Sequence, residues 1–171
     1  MRLALTLSAI AVCAALSGCG KKDDTAGLPL PLTDAEKAAL IASLPEPYHS
    51  ADLTHGEALF GNCKSCHSIE RGGKNLTGPN LYGVFGRVAG TKKNFDYSDV
   101  VKSAGFAWDA DHLDGWLSGP RNFLKGTKMS FSGLKDPTDR RDLIVYLMTA
   151  TGYRSPAMTG GAAATAPAAP K

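Results

Sequence analysis

Cys63-Lys64-Ser65-Cys66-His67 sets two thiols three positions apart, with an imidazole directly behind the second. Thiols separated by one helical turn can reach the two vinyl groups of a single porphyrin, and the adjacent histidine then sits beneath the iron as a ligand. This C-x-x-C-H spacing is the attachment pattern of a covalent c-type haem. Two other chemistries use paired cysteines. A thioredoxin-like redox pair needs a βαβ setting, and no such pattern surrounds residues 63–66. A zinc site wants four ligands, and there is no second cysteine pair, since the other two cysteines, Cys13 and Cys19, lie near the N-terminus. One covalent haem, not a structural disulfide, is the expectation.

The opposite face of the iron decides what such a centre does. A sulfur ligand there blocks substrate and raises the reduction potential, giving an electron carrier, whereas an open face permits gas binding or peroxide chemistry. The candidates are Met129, Met148, Met158, His49, His55 and His112. Met148 falls in an apolar helical stripe and reads as core. Met158 sits in the C-terminal tail, His49 and His55 precede the attachment site, and His112 lies on a polar helical turn, where it is expected to be exposed. Met129, in Gly126-Thr127-Lys128-Met129-Ser130-Phe131, lies on a loop sixty-two positions after His67 that could wrap over the far face. An isolated methionine is ordinarily core, so position alone leaves the choice open.

The elements that must position these groups occupy only part of the chain. Leu3 to Leu16 is apolar apart from Thr6 and Ser8, follows a single basic Arg2, and is too short to span a bilayer. It reads as an export signal over residues 1–18. Leu16-Ser17-Gly18-Cys19 resembles the bacterial lipobox, which implies cleavage before Cys19 and lipid on that cysteine. Residues 19–50, rich in Lys, Asp and Pro, read as a tether containing one short helix, with Thr33-Asp34-Ala35-Glu36 at capping-box spacing and Pro45 as its stop. About thirty flexible residues would span roughly 30 Å on average. Residues 155–171 are Ala, Pro, Gly and Thr with little to bury, and read as a disordered tail.

Residues 51–154 are expected to form one domain. Three helices are expected in it. The first runs from about Asp52 to Lys64. The second, from about Asp109 to Leu117, carries Leu113, Trp116 and Leu117 on one stripe. The third starts near Pro137 and ends at Gly152. Strand signals are scarce, and three helices joined by glycine-bearing loops make a poor core unless a large flat cofactor fills the middle. Charge divides along the chain: Lys21 to Glu57 holds three lysines against seven acids, whereas Ala58 to Lys171 holds fifteen basic residues against nine acids. A basic domain can mark nucleic-acid binding, but no nucleic-acid module is recognisable here, and none is expected as a partner.

The stretch from Gly56 to Gly152 resembles class I cytochromes c of the mitochondrial and alphaproteobacterial type, in a membrane-anchored form. The resemblance rests on Cys63-x-x-Cys66-His67, Thr77-Gly78-Pro79-Asn80-Leu81, Val84-Phe85-Gly86-Arg87, Gly126-Thr127-Lys128-Met129 and Asp142-Leu143-Ile144-Val145-Tyr146-Leu147, in order and at matching spacing. It implies an all-α class I cytochrome c fold, three main helices and long loops wrapped around one haem. It also implies that His67 and Met129 are the axial ligands and that the Pro79 carbonyl orients His67. Arg87, Tyr97 and Trp108 would bond the propionates, with Thr127 also lying against the haem. Gly56 and Phe60 would cross the last helix near Leu143 and Tyr146. Three departures stand out: Trp116 replaces a tyrosine, Val101 an asparagine and Asn75 a histidine that braces two loops. Asn62, Asn122 and Asp136 stand where lysines are common, while Lys74, Arg121, Lys125, Lys128 and Lys135 would ring the exposed haem edge.

The function so implied is a periplasmic, monomeric one-electron shuttle. It would be held to the membrane by lipid on Cys19 and carry electrons from a quinol–cytochrome c oxidoreductase to a terminal cytochrome c oxidase. Its basic rim would steer docking. A different class of function, a haem peroxidase or gas-binding protein with a labile Met129, and a third, a cytochrome subunit fixed to one dehydrogenase, are the alternatives.

Overall fold

The computed structural model describes residues 25–159. The stretch expected to be an export signal, Cys19 with its expected lipidation, the first residues of the expected tether and the tail beyond residue 159 lie outside the described residues. In chain order the elements are α1 (Asp34–Ser43), a 3-10 turn (Tyr48–Ser50), α2 (Leu53–Phe60), α3 (Asp99–Lys102), α4 (Ala110–Ser118), α5 (Pro120–Phe123), α6 (Pro137–Ala150) and α7 (Pro156–Thr159). Among the described residues there is no strand, only an isolated antiparallel bridge between Val88 and Ala107. The all-α expectation holds, with α2, α4 and α6 as the three main helices of the domain.

Each of these helices begins where a side chain can satisfy the unpaired N–H groups of its first turn. Asp52 accepts from the N–H groups of Thr54 and His55 at 2.9 and 3.1 Å. Asp109 accepts from His112 at 2.8 Å, and Asp136 from Thr138 at 2.8 Å, with Pro137 in the first turn. Asp136 is thus a helix cap. The first helix is shorter than expected. Gly61 and Asn62, both poor helix formers, let α2 end at Phe60 and pass into tight turns through the attachment motif.

The packing of α2 across α6 organises the domain. Gly56 makes the crossing possible: a Cβ there would lie 2.3 Å from the Asp142 carbonyl oxygen and 2.8 Å from Tyr146 Cβ. Phe60 packs beside Tyr146, with ring centroids 5.8 Å apart. Leu143, Ile144, Leu147 and Met148 fill the core between α6, α2 and α4. Beside the crossing, Asp142 is 1 % exposed yet charged. It accepts from the Asp52 N–H at 3.1 Å, from His55 Nδ1 at 2.9 Å and from Arg141 Nε at 2.8 Å, so the buried carboxylate is paired and fully bonded.

Residues 25–50, expected to be a flexible tether, are instead a strap laid along the domain. Leu32 and Leu40 are 6 % and 0 % exposed, and burying each contributes roughly 1.5–3 kcal/mol before the cost of ordering the chain. The α1 capping box forms as read, with Glu36 accepting the Thr33 N–H at 2.8 Å and Thr33 Oγ1 accepting the Glu36 N–H at 3.2 Å. The composition of this stretch hid its anchors, because its leucines are separated by Lys, Asp and Pro. The start of the tail is also ordered: Ser155 is buried, its hydroxyl lies 2.9 Å from that of Ser43, and Met158 packs on the core.

Candidate functional site

The attachment motif folds as one helical turn followed directly by the histidine. The N–H groups of Cys66 and His67 both donate to the Cys63 carbonyl, at 3.0 and 2.9 Å, which puts the two thiols on consecutive levels of the turn. Both cysteines are free, Cys63 half-buried and Cys66 exposed. Burial pushes the Cys63 thiol up to about 11, so it stays protonated.

His67 is held in one tautomer. Its Nδ1 lies 2.8 Å from the carbonyl oxygen of Pro79. A carbonyl can only accept, so Nδ1 carries the proton and the lone pair is on Nε2. Burial lowers the pKa of the ring against the opposing pull of the Pro79 carbonyl, which keeps the imidazole neutral and able to ligate a metal. Gly78 lets the backbone lie flat against this ring: a Cβ there would come within 2.3 Å of Cε1 and 2.6 Å of Nε2.

The loop carrying Pro79 is fixed by a network that the sequence reading did not assign. Asn80, 0 % exposed, donates its amide to Ser68 Oγ at 2.8 Å and to the Glu70 carbonyl at 3.0 Å. Its own N–H donates to Asn75 Oδ1 at 2.9 Å. The amide of Asn75 reaches the carbonyls of Lys93 and Asn94, at 3.0 and 2.9 Å. Asn75 therefore braces two loops.

The residues expected around the propionates converge from a second direction. The Val88–Ala107 bridge is extended by bonds from Gly86 N–H to Trp108 O and from Trp108 N–H to Arg87 O, at 2.8 and 3.0 Å, which set Arg87 and Trp108 side by side. Arg87 also donates to the carbonyls of Tyr82 and Asn80, tying this wall to the loop that orients His67. Burial lowers the Arg87 pKa and raises that of Tyr97, whose ring lies edge-on to Phe95. Trp108 packs edge-on against Phe106 and Trp116. Val101 is buried.

Ser98 was not singled out from sequence. Before Asp99 it reads as a helix cap, yet it makes no side-chain cap bond, and its hydroxyl is buried without a hydrogen-bond partner among the described residues. An orphaned donor beside Tyr97 suits an anionic group brought by a cofactor. Met129 lies half-buried on the loop between α5 and α6, its N–H donating to Thr127 Oγ1 at 3.3 Å. Two thiols one turn apart, a neutral imidazole with Nε2 unused and an orphaned hydroxyl beside a phenol fit a covalently attached haem.

The other histidines are accounted for elsewhere. His55 bonds Asp142, and His49 Nδ1 lies 3.2 Å from the Ile41 carbonyl. His112, expected at the surface, is largely covered, stacked on Phe106 at 4.2 Å between ring centroids and bonded to Asp109 at 2.7 Å. Met148 is core, as read. Of the basic residues expected to ring the haem edge, Lys74, Arg121 and Lys125 are exposed. Lys128 is ion-paired with Asp96, and Lys135 donates to the Ser118 carbonyl at 3.0 Å.

Comparison with known proteins covers the same region. Residues 53–151 match the family described as Cytochrome c. The chain is 38 % identical over 108 residues to cytochrome c of Kluyveromyces lactis, spanning 63 % of this chain and 98 % of the relative. To cytochrome c of Chlamydomonas reinhardtii it is 46 % identical over 103 residues, 60 % of this chain and 92 % of the relative. To cytochrome c2 of Rhodomicrobium vannielii it is 42 % identical over 115 residues, 67 % and 91 % of the two chains. Among solved structures it is similar to cytochrome cH from Methylobacterium extorquens, with a TM-score of 0.54 and 42 % identity over 58 % of this chain and 99 % of that one.

Proposed function

The chain belongs to the cytochrome c family, electron carriers and not enzymes that bind haem c covalently, and from that premise we propose that it is a periplasmic one-electron shuttle held to the membrane by lipid on Cys19. The observation that supports this most directly is the 2.8 Å bond to the Pro79 carbonyl from Nδ1 of His67, the residue directly after the second thiol. That bond leaves Nε2 as a ligand and fixes the plane of the ring. Cys63 and Cys66 would hold the haem, His67 and Met129 would ligate its iron, and Arg87, Tyr97, Trp108 and Thr127 would lie around it.

Bound there, haem supplies an iron that takes up and releases one electron. The protein supplies the rest. His67 is locked by Pro79, Gly78 and the Asn80 network, so the nitrogen ligand has nowhere to relax when the charge changes. Met129, on its Thr127-bonded loop, would offer the iron a thioether sulfur in place of small ligands. The ring wall of buried Trp108 and partly buried Phe106 and Trp116 limits the approach of water. Lys74, Arg121 and Lys125 give a basic rim for docking, with Lys128 and Lys135 contributing through charge while bonded internally. The donor is proposed to be a quinol–cytochrome c oxidoreductase, the acceptor a terminal cytochrome c oxidase, and the working form a monomer.

Spectra of the purified protein test the haem assignment. The pigment stays with the polypeptide in acidified acetone, and the ferric form shows the weak red band of thioether sulfur on iron; rapid carbon monoxide binding to the ferrous form would refute Met129 as a ligand. Stopped-flow reduction by the proposed donor tests the rim, because steering across a docking distance near the Debye length weakens as salt rises. A rate independent of ionic strength would refute it. The mass of the N-terminal peptide tests the lipid on Cys19.

A further inference from the structure

The strap lies outside the matched family region, which begins at residue 53, and the domain offers it a built receiving surface. Arg71 donates to three strap carbonyls, those of Thr25, Leu28 and Pro29, at 3.0, 3.3 and 3.2 Å. The Tyr82 hydroxyl donates to Pro29 O at 3.0 Å. Arg154 donates to Leu30 O at 3.1 Å and to the Glu36 carboxylate at 2.9 Å. Leu28 lies against Gly83, and Pro29 against Gly152. Leu32 and Leu40 are buried beneath. At its start the strap rests on the loop that begins at His67, where Thr25 Cγ2 lies against Gly72.

We propose that residues 25–44 clamp onto the cytochrome domain and so shorten its membrane tether to the six steps between Cys19 and Thr25, holding the domain against the lipid surface with the His67–Lys74 loop nearest the point of attachment. This rests on the reading of Cys19 as the lipid anchor. Six residues reach at most about 20 Å when fully extended, whereas the thirty-two between Cys19 and Ala51 would reach about 110 Å. The clamp replaces a roaming carrier by one that exchanges electrons only with partners presenting their docking surface at the membrane, and there it raises the effective concentration of the domain.

Two measurements on the mature holoprotein test this. In detergent, amide hydrogen exchange across residues 35–43 reads the clamp itself, because a ten-residue helix is not stable alone. Exchange slowed at least a hundredfold relative to an unstructured chain is expected, and unstructured rates would overturn the proposal. On phosphatidylcholine vesicles carrying a headgroup fluorophore, quenching by the haem reads its height above the lipid. Releasing the clamp with Leu32→Asp plus Leu40→Asp is expected to weaken quenching at least twofold. If that variant fails to take up haem, Arg71→Ala plus Arg154→Ala, which leaves the apolar contacts intact, replaces it. Equal quenching with and without the clamp would overturn the proposal. Failure of the wild-type protein to float with vesicles would overturn the anchor, and the short tether with it, while the exchange result still reports separately on the clamp.

Discussion

A methyl group on Gly78 would stand 2.3 Å from Cε1 of His67 and 2.6 Å from Nε2, closer than any tolerable contact. The ring is held at Nδ1 by the Pro79 carbonyl, so it cannot yield without straining the bond that fixes its tautomer. Gly78→Ala is therefore expected to fold but to load haem poorly, with a severalfold drop in the ratio of haem to protein absorbance and loss of the red sulfur band. An unchanged spectrum would show that the ring tolerates the methyl. This residue-scale logic was partly legible from sequence. Cys63, Cys66 and His67 are read from spacing, because attachment and ligation are local along one turn. Asn75, Asn80 and Ser98 were not assigned roles, because each acts through a loop closure that brings together residues distant in sequence. Ser98 was further disguised by standing where a helix cap would.

The α2–α6 crossing carries the same reasoning to the scale of elements. The Asp142 carbonyl lies 2.3 Å from where a Cβ on Gly56 would be, and helix backbones cannot retract as a side chain can. Gly56→Val is expected to cost about 2–3 kcal/mol, read as a lowered guanidinium midpoint of the holoprotein. Beside the crossing, the hydrogen bond to Asp142 raises the His55 pKa, helped by the neighbouring charges of Asp139, Asp142 and Asp52 against the effect of desolvation. A group whose folded pKa is raised contributes stability that is complete below its unfolded value, about 6.5, and is lost as pH rises through the folded one. The gap in melting temperature between wild type and His55→Gln is thus expected to be widest below pH 6.5 and to narrow above it. A gap independent of pH would remove His55 from this role. The starts of α1, α2, α4 and α6 were legible, from the Thr33–Glu36 capping box, Asp52, Asp109 and Pro137 respectively. The docking of the strap was not, because its carbonyls meet Arg71, Tyr82 and Arg154, and Leu32 and Leu40 meet the core, only through contacts distant in sequence.

At the scale of the whole molecule, the acidic N-terminal segment and the basic domain are joined surfaces and not separate bodies. Arg154 bonds Glu36 across 118 positions of sequence, so the charge asymmetry read from composition is partly an internal attraction. The Thr33 N–H, the Arg154 guanidinium and the Thr33 hydroxyl, in that order of effect, hold the Glu36 carboxyl down at about 2, against an ordinary value of 4.5. A carboxylate with a lowered folded pKa contributes stability that is present above its unfolded value and disappears as pH falls through the folded one. Glu36→Gln keeps the capping geometry, since an amide oxygen can still accept from Thr33, but removes the charge facing Arg154. Hydrogen exchange across residues 35–43 should therefore be faster in Glu36→Gln than in wild type at pH 5–7, after correction for intrinsic exchange. The difference should shrink steadily from pH 4.5 toward 2, where the wild-type carboxyl itself takes up a proton. If the two proteins exchanged alike at neutral pH, the strap would be held by its leucines and the arginine–carbonyl bonds alone, with the Glu36–Arg154 pair contributing nothing to its docking.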